Sequence, residues 1–445
     1  MASAIGRSAK HSVGPVSESG KMMRMRTDVV LGIDVGSSGV RIAAVDEAGS
    51  LCALASVPMP PPCPDQDGRV RQHPDQWWRA TRSAFARLDL TGVRVRALAV
   101  DGTSGTIVPI DAAGTPTGPA SMYLDIASAD AAARIAAVAP RETAALGRTS
   151  PLARALDLTG GRVVHQADWI SARFSGCHHV TDENNALKTG YDPVTRTWPD
   201  WIRATGMAMA RLPRVVPAGT RLAPVQAALA DTLGLPPDVV VVAGTTDGCA
   251  AFLASGATDP GDGVTALGTT LTLKLLTDRP VFASECGVYS HRIGDQWLAG
   301  GASNSGGGVV AKYFTRDEID ALMPTIDDAA PSGLDYYPLD GPGERFPVND
   351  PLLQARLEPR PDDRAQFLHG LLEGIAAIEM RGYQALAERG ASPLATIRST
   401  GGGAANAGWT RIRLRLLGVP GLPSRSEHAA VGTARLAWRG LGHAC

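Results

Sequence analysis

The sequence holds no Cys-x-x-Cys pair. Its six cysteines, Cys52, Cys63, Cys177, Cys249, Cys286 and Cys445, are scattered, and although His178 and His179 follow Cys177, no second cysteine completes a zinc spacing. A zinc ribbon and a disulfide framework are thereby excluded, and the reduced cytoplasm is the expected compartment. No apolar run approaches the roughly 18 residues of a membrane span, and the N-terminus lacks the apolar core of a secretory signal. Neither charge dominates: 43 Lys and Arg meet 44 Asp and Glu, a formal net charge of -1, which argues against nucleic acid or a membrane surface as partner.

What is present suits a folded protein, with 44% hydrophobic and 20% charged residues. A chain of 445 residues exceeds one core, so two α/β domains are expected, 28–243 and 244–445, with a cleft between them and a monomer or homodimer as the assembly. Residues 1–27, rich in Ser, Gly, Lys and Arg, are expected to be a disordered leader. They read either as a transit peptide or as a stretch upstream of a start at Met22, Met23 or Met25.

VVLGIDVGSSGVRIAAVDEAGSLCALASVP reads as an antiparallel meander of three strands. LAVDGTSGTIVPIDAAGT, residues 98–115, repeats its strand-turn-strand pattern, and QHPDQWWRATRSAFARLDL between them has helical spacing of Trp78, Thr81, Phe85 and Leu88. The second half reuses this grammar: LGTTLTLKLLTD and VYSHRIGDQWLAGG read as hairpin strands, with helices near 305–325 and 365–389. TDENNALKTGYDPVTRTWPDWI is expected to be a long polar loop.

Four segments carry chemistry. In GIDVGSSG a strand ends in Asp34 and runs into a turn of small residues, where the backbone of Gly36, Ser37, Ser38 and Gly39 can approach phosphate oxygens and Asp34 suits Mg²⁺; a plain hairpin has the same pattern. In AGTTDGCAAFLASG, Asp247 either caps the helix behind it or accepts a proton from a hydroxyl. LGTTLTLKL offers Gly268, Thr269 and Thr270 to a second phosphate, or again forms a simple hairpin. STGGGAANAGWTRIRLRLLG places Gly402 and Gly403 before a helix, where bare backbone can lie against a planar ring such as adenine, or serve as a hinge. DGTSGT, MYLD and HQADW add polar groups suited to sugar hydroxyls or to turns and caps.

Taken in order, IDVGSSGVRIAAVD, VVAGTTDGCAAFLASGA, LGTT and STGGGAANAGWTRIRLRLLG followed by AAVGTARLAWRGLG resemble the FGGY carbohydrate kinases over about residues 28–440. The resemblance implies two ribonuclease-H-like domains of the actin-like ATPase kind, closing on ATP, Mg²⁺ and a sugar. The first domain would hold sugar and phosphate, the second the base and the nucleotide. DGTSGT, the Met122-Tyr123-x-Asp125 element, HQADW and NNALKTGYD are similar to the D-ribulose kinases of cyanobacteria and plants, which implies transfer to a terminal hydroxyl of a five-carbon ketose. By that resemblance Asp34 coordinates metal and sugar, Ser104 binds sugar, Asp247 is the base, and Gly402, Gly403 and Asn406 border the adenine. Many members carry Trp-x-Asp-x-Arg where this chain has Met122, Tyr123, Leu124 and Asp125 with no arginine two residues on. The alternatives are a xylulose or other polyol kinase and, from another class, an ATP-driven conformational switch or sugar-binding regulator on the same fold.

Overall fold

The computed structural model describes residues 26–158 and 160–443. The expected leader lies outside these residues up to position 25, while Thr27 already belongs to the first strand, where it pairs with Val93.

Two mixed sheets organise the chain. The first has six strands, in spatial order Arg221–Pro224, Val240–Thr246, Val93–Gly102, Thr27–Val35, Gly39–Asp46 and Leu51–Pro58. The last three form the expected meander, and Thr27–Val35, Val93–Gly102 and Val240–Thr246 run parallel. Alternate residues of the first strand face opposite sides. Leu31, Ile33 and Val35 pack with Trp77, Phe85 and Trp169, whereas Val30 joins Ala430, Ala434 and Trp438. Burial on both faces is why this strand reads as a nearly continuous apolar run.

The second sheet has five strands, Tyr289–Ile293, Gln296–Ser303, Leu271–Thr277, Asp262–Leu267 and Thr396–Thr400, the last two parallel. The 25-residue helix Arg364–Glu388 and the helix Ala407–Leu417 cover one face. A buried ion pair pins them there. Arg413 donates to both carboxylate oxygens of Glu379 at 2.6 Å and to Ser399 Oγ at 2.7 Å, and Thr265 Oγ1 donates to Glu379 at 2.6 Å.

The halves exchange a helix. Asp247–Ser255 continues directly from a strand of the first sheet, yet Cys249 and Phe252 pack against Val264, Leu276 and Leu298 of the second. The closing helix, Ala429–Gly440, packs on the first sheet instead. Glycines permit both contacts: a Cβ on Gly32 would lie 1.8 Å from the Ala430 carbonyl oxygen, and one on Gly432 would lie 1.9 Å from that of Ala250. The expected division at Ala243 falls inside the strand Val240–Thr246, and the chain passes to the second sheet through the helix that follows.

Two other expectations change. Val93–Gly102 and Ile107–Ile110 do not form a hairpin; the first pairs with Thr27–Val35, and the second joins a separate small sheet with Arg71–Gln72, Ala120–Ser121 and Arg162–His165. Long-range parallel pairing outcompetes the local turn. The polar stretch from Thr181 is also no open loop, because Asp182 caps a buried helix, Glu183–Leu187, by accepting from the amides of Asn184 and Asn185. Asn184 then donates to Thr245 Oγ1 and the Arg292 carbonyl, joining the two halves. Among the described residues no helix is long and apolar enough to cross a membrane.

Candidate active site

Parallel strands present their C-terminal ends along one edge, which is where open α/β sheets bind ligands. Register puts Asp34 opposite Asp101, Asp101 opposite Thr245 and Gly102 opposite Thr246, so Asp247 follows one residue beyond. Asp34 and Asp247, 213 positions apart by number alone, are thus brought to one edge, with Asp101 between them. Asp101 is fully buried, and burial followed by the charge of Asp34 holds its carboxyl well above the usual range. Thr433 of the closing helix donates to Asp101 Oδ2, and the Asp101 carboxyl also shares a hydrogen bond with that of Asp34. Asp34 is also raised, chiefly by burial, although Arg41 Nη1 stands 3.3 Å from its Oδ2. Sequence reasoning grouped Asp101 only with its polar neighbours. Its strand-end position, like that of Asp34, was the available signal.

Asp247 begins its helix but does not cap it. Thr246 Oγ1 performs that role by accepting from the Cys249 amide at 3.4 Å. The Asp247 carboxylate instead accepts from the amides of Gly248 at 2.7 Å and Ser104 at 3.4 Å. Burial raises its pKa, and the Gly248 amide and the Lys188 ammonium oppose that rise. Ser104 therefore reaches the carboxylate through its backbone, leaving its hydroxyl for a ligand.

The turn of Gly36, Ser37, Ser38 and Gly39 closes through the Gly36 amide on the Gly39 carbonyl at 3.0 Å. At the corresponding turn of the second sheet, Gly268 and Thr269 accept through their carbonyls from Gly307 and Gly308 at 2.9 and 3.0 Å. This brace from Gly306–Gly308, absent from the sequence reading, needs glycine, since a Cβ on Gly306 would lie 2.6 Å from the Thr269 carbonyl oxygen. The hydroxyls of Ser37, Ser38, Thr269 and Thr270 take no part in any hydrogen bond among the described residues, which leaves them available to phosphate oxygens.

A groove of about 720 Å³ lies beyond, lined by Gly401, Gly402, Ala404, Thr410 and Leu422. Gly402 faces open space, whereas a Cβ on Gly403 would lie 2.5 Å from the Trp409 ring and 2.9 Å from Leu267 Cβ. Asn406, expected at the same ring, spends its side-chain oxygen on the Trp409 amide at 2.9 Å. Gly402→Trp is therefore expected to weaken nucleotide binding at least about tenfold, roughly 1.4 kcal/mol, with little change in melting temperature, when ATP is titrated calorimetrically. Undiminished binding would remove the nucleotide from this groove.

A separate cleft of about 500 Å³ draws its walls from both halves, including Ser104, Tyr123 and Lys188 from the first and Lys274, Tyr289 and Arg345 from the second. The expected sugar element is split here. Tyr123 and Leu124 face the cleft, but Asp125 is buried against Arg69 Nε at 2.9 Å and Ser121 Oγ at 2.7 Å. An arginine distant in sequence thus partners that aspartate.

Comparison with known proteins identifies the family and the fold. The FGGY family of carbohydrate kinases matches the chain twice, its N-terminal domain over residues 29–146 and 154–254 and its C-terminal domain over residues 263–441. The xylulose kinase of Streptomyces coelicolor is 28% identical over 91% of this chain and 86% of its own length. The gluconokinase of Bacillus subtilis is 23% identical over 87% of this chain and 82% of its own. The crystal structure of xylulose kinase from Rhodospirillum rubrum superposes with a TM-score of 0.81 at 22% identity, covering 94% of this chain and 91% of that one. Plasmodium falciparum glycerol kinase with ADP gives 0.79 at 16% identity, covering 93% and 90%. The fold is thus the two-domain, actin-like ATPase architecture, and the chain belongs to the FGGY family of carbohydrate kinases, enzymes that phosphorylate sugars with ATP.

Proposed function

We propose that this kinase phosphorylates the terminal hydroxyl of a five-carbon ketose, D-ribulose foremost, to give the 5-phosphate. The observation that carries the reading is the Asp247 carboxylate, held by the Ser104 and Gly248 amides beside the two-walled cleft. DGTSGT and NNALKTGYD, which resemble ribulose kinases, contribute Ser104 and Lys188 to that cleft. D-Xylulose is the second reading, favoured by the names of the relatives.

Asp247 takes the proton as the hydroxyl attacks in line, and burial shifts its pKa toward the working pH. Phosphoryl transfer has a loose transition state, so positioning and charge stabilisation do most of the work. The turns at Gly36–Gly39 and Gly268–Thr270 supply amides and free hydroxyls to the phosphates. The residues present fit a magnesium ion: Asp34 and Asp101 bring two interacting carboxyl groups to the strand ends, an oxygen donor set whose shell phosphates and water can complete. Asp34, with Asp101 behind it, would hold that ion, which neutralises charge on the transferred group when bound. Closure of the halves excludes competing water.

ADP release should be stimulated by one ketose in a panel of D-ribulose, D-xylulose, L-ribulose, ribitol, xylitol and glycerol. Strongest stimulation by D-xylulose would replace the first reading with the second, and hydrolysis indifferent to every sugar would favour a conformational switch.

A further inference from the structure

The acceptor cleft is charged in a way that a neutral ketose does not require. Arg154, Lys188, Lys274 and Arg345 line it, and no carboxylate does. The guanidinium of Arg154 is spent on the carbonyls of Gly105, Ser121 and Met122. The other three form no salt bridge among the described residues.

Register builds the group. Lys274 pairs with Gly300, and Gly300 with Tyr289 on the next strand, so the absence of a side chain at Gly300 opens a trough between them. The Lys274 stem lies in that trough, since a Cβ on Gly300 would stand 2.8 Å from its Cδ. Lys188 arrives from the other half at the end of the capped helix Glu183–Leu187. The two ammonium groups sit 5.5 and 5.8 Å from the Tyr289 ring centroid. Arg345 is presented by its neighbour: Glu344 turns inward to accept from Ser303 Oγ at 2.5 Å, the Asn304 amide at 2.8 Å and Tyr337 Oη at 3.1 Å. Lys188 and Lys274 are half-buried and Arg345 is exposed. Asp247 meets the two lysines with a single negative charge, so three cations against one carboxylate leave this wall of the cleft in demand of an anion.

We infer that Lys188, Lys274 and Arg345 form an oxyanion subsite in the acceptor cleft that takes the carboxylate or phosphate of a polyhydroxylated molecule. This rests on reading the cleft as the acceptor site, and it extends the substrate class to sugar acids or sugar monophosphates. The test is calorimetric titration without nucleotide, using ribitol, D-ribonate and ribitol 5-phosphate, which share a carbon chain and differ in charge. At least one anion is expected to bind about tenfold or more tightly than ribitol. Lys188→Met and Lys274→Met should each erase that preference, and Lys274→Arg should restore most of it. Which anion is preferred identifies carboxylate or phosphate as the source. Equal affinity for all three compounds, or a preference untouched by both methionine variants, overturns the inference. ATP titration at the separate groove confirms that each variant is folded. Because no turnover is measured, a chain that proves inactive toward every ketose leaves this result standing, and an active ketose kinase with no anion preference refutes only the subsite.

Discussion

Asp247→Ala is expected to lower sugar-dependent ADP release by about 10²–10⁴-fold, the usual contribution of a positioned general base, while ATP titration remains unchanged. The carboxylate is separated from helix capping, which Thr246 performs, so its removal leaves the helix start intact. Asp247→Asn sharpens the test. The amide oxygen can still accept from Gly248 and Ser104, but it takes no proton, so the loss should match that of alanine. Full activity in either variant would remove Asp247 from the mechanism. In the native enzyme the raised pKa of Asp247 should place the acid limb of the rate profile above the ordinary carboxylate range, because protonation disables the base.

Arg413→Met should cost about 3–5 kcal/mol of stability, the range for breaking a buried ion pair from one side, read as a fall in melting temperature. Arg413 and Glu379 are 1% and 0% exposed, so the orphaned carboxylate has no access to water. The double variant Arg413→Met with Glu379→Leu should recover much of the loss, since removing both charges also removes their desolvation cost. Equal losses in the single and double variants would mean that shape rather than charge is at stake. The single variant should also weaken ATP binding. Arg413 holds Ser399, on the strand that runs into the glycine loop proposed to border the nucleotide.

The local grammar of strand, small-residue turn and strand was legible because it repeats a short pattern whose alternation reports burial directly. The turns at residues 36–39 and 268–270, the strand-end Asp34 and the glycine loop before the helix Ala407–Leu417 all stand where that grammar places them. Illegible was whatever depends on distant partners. Thr181–Asp192 reads as polar, yet its Asp182 and Asn184 side chains are consumed by a cap and by contacts with Thr245 and Arg292. Gly403 looks interchangeable with Gly402 until Trp409 is packed behind it. The charged wall of the cleft was equally hidden. Lys188 and Lys274 are 86 positions apart by number and meet only over Tyr289, which neither spacing nor composition announces.

The exchange of helices bears on how the chain is made. The sheet that begins at Thr27 is sealed on one face by residues 429–440: Thr433 bonds Asp101 across 332 residues, and Trp438 bonds the Val45 carbonyl at 3.2 Å across 393. A nascent chain emerging from the ribosome exposes Val30, Ala97 and Ala99 until the helix Ala429–Gly440 has been synthesised. At about 5–20 residues per second, that apolar face stays open for roughly 20 seconds at the faster rate and more than a minute at the slower, so the early-made sheet depends on residues made far later to leave the pool of aggregation-prone intermediates.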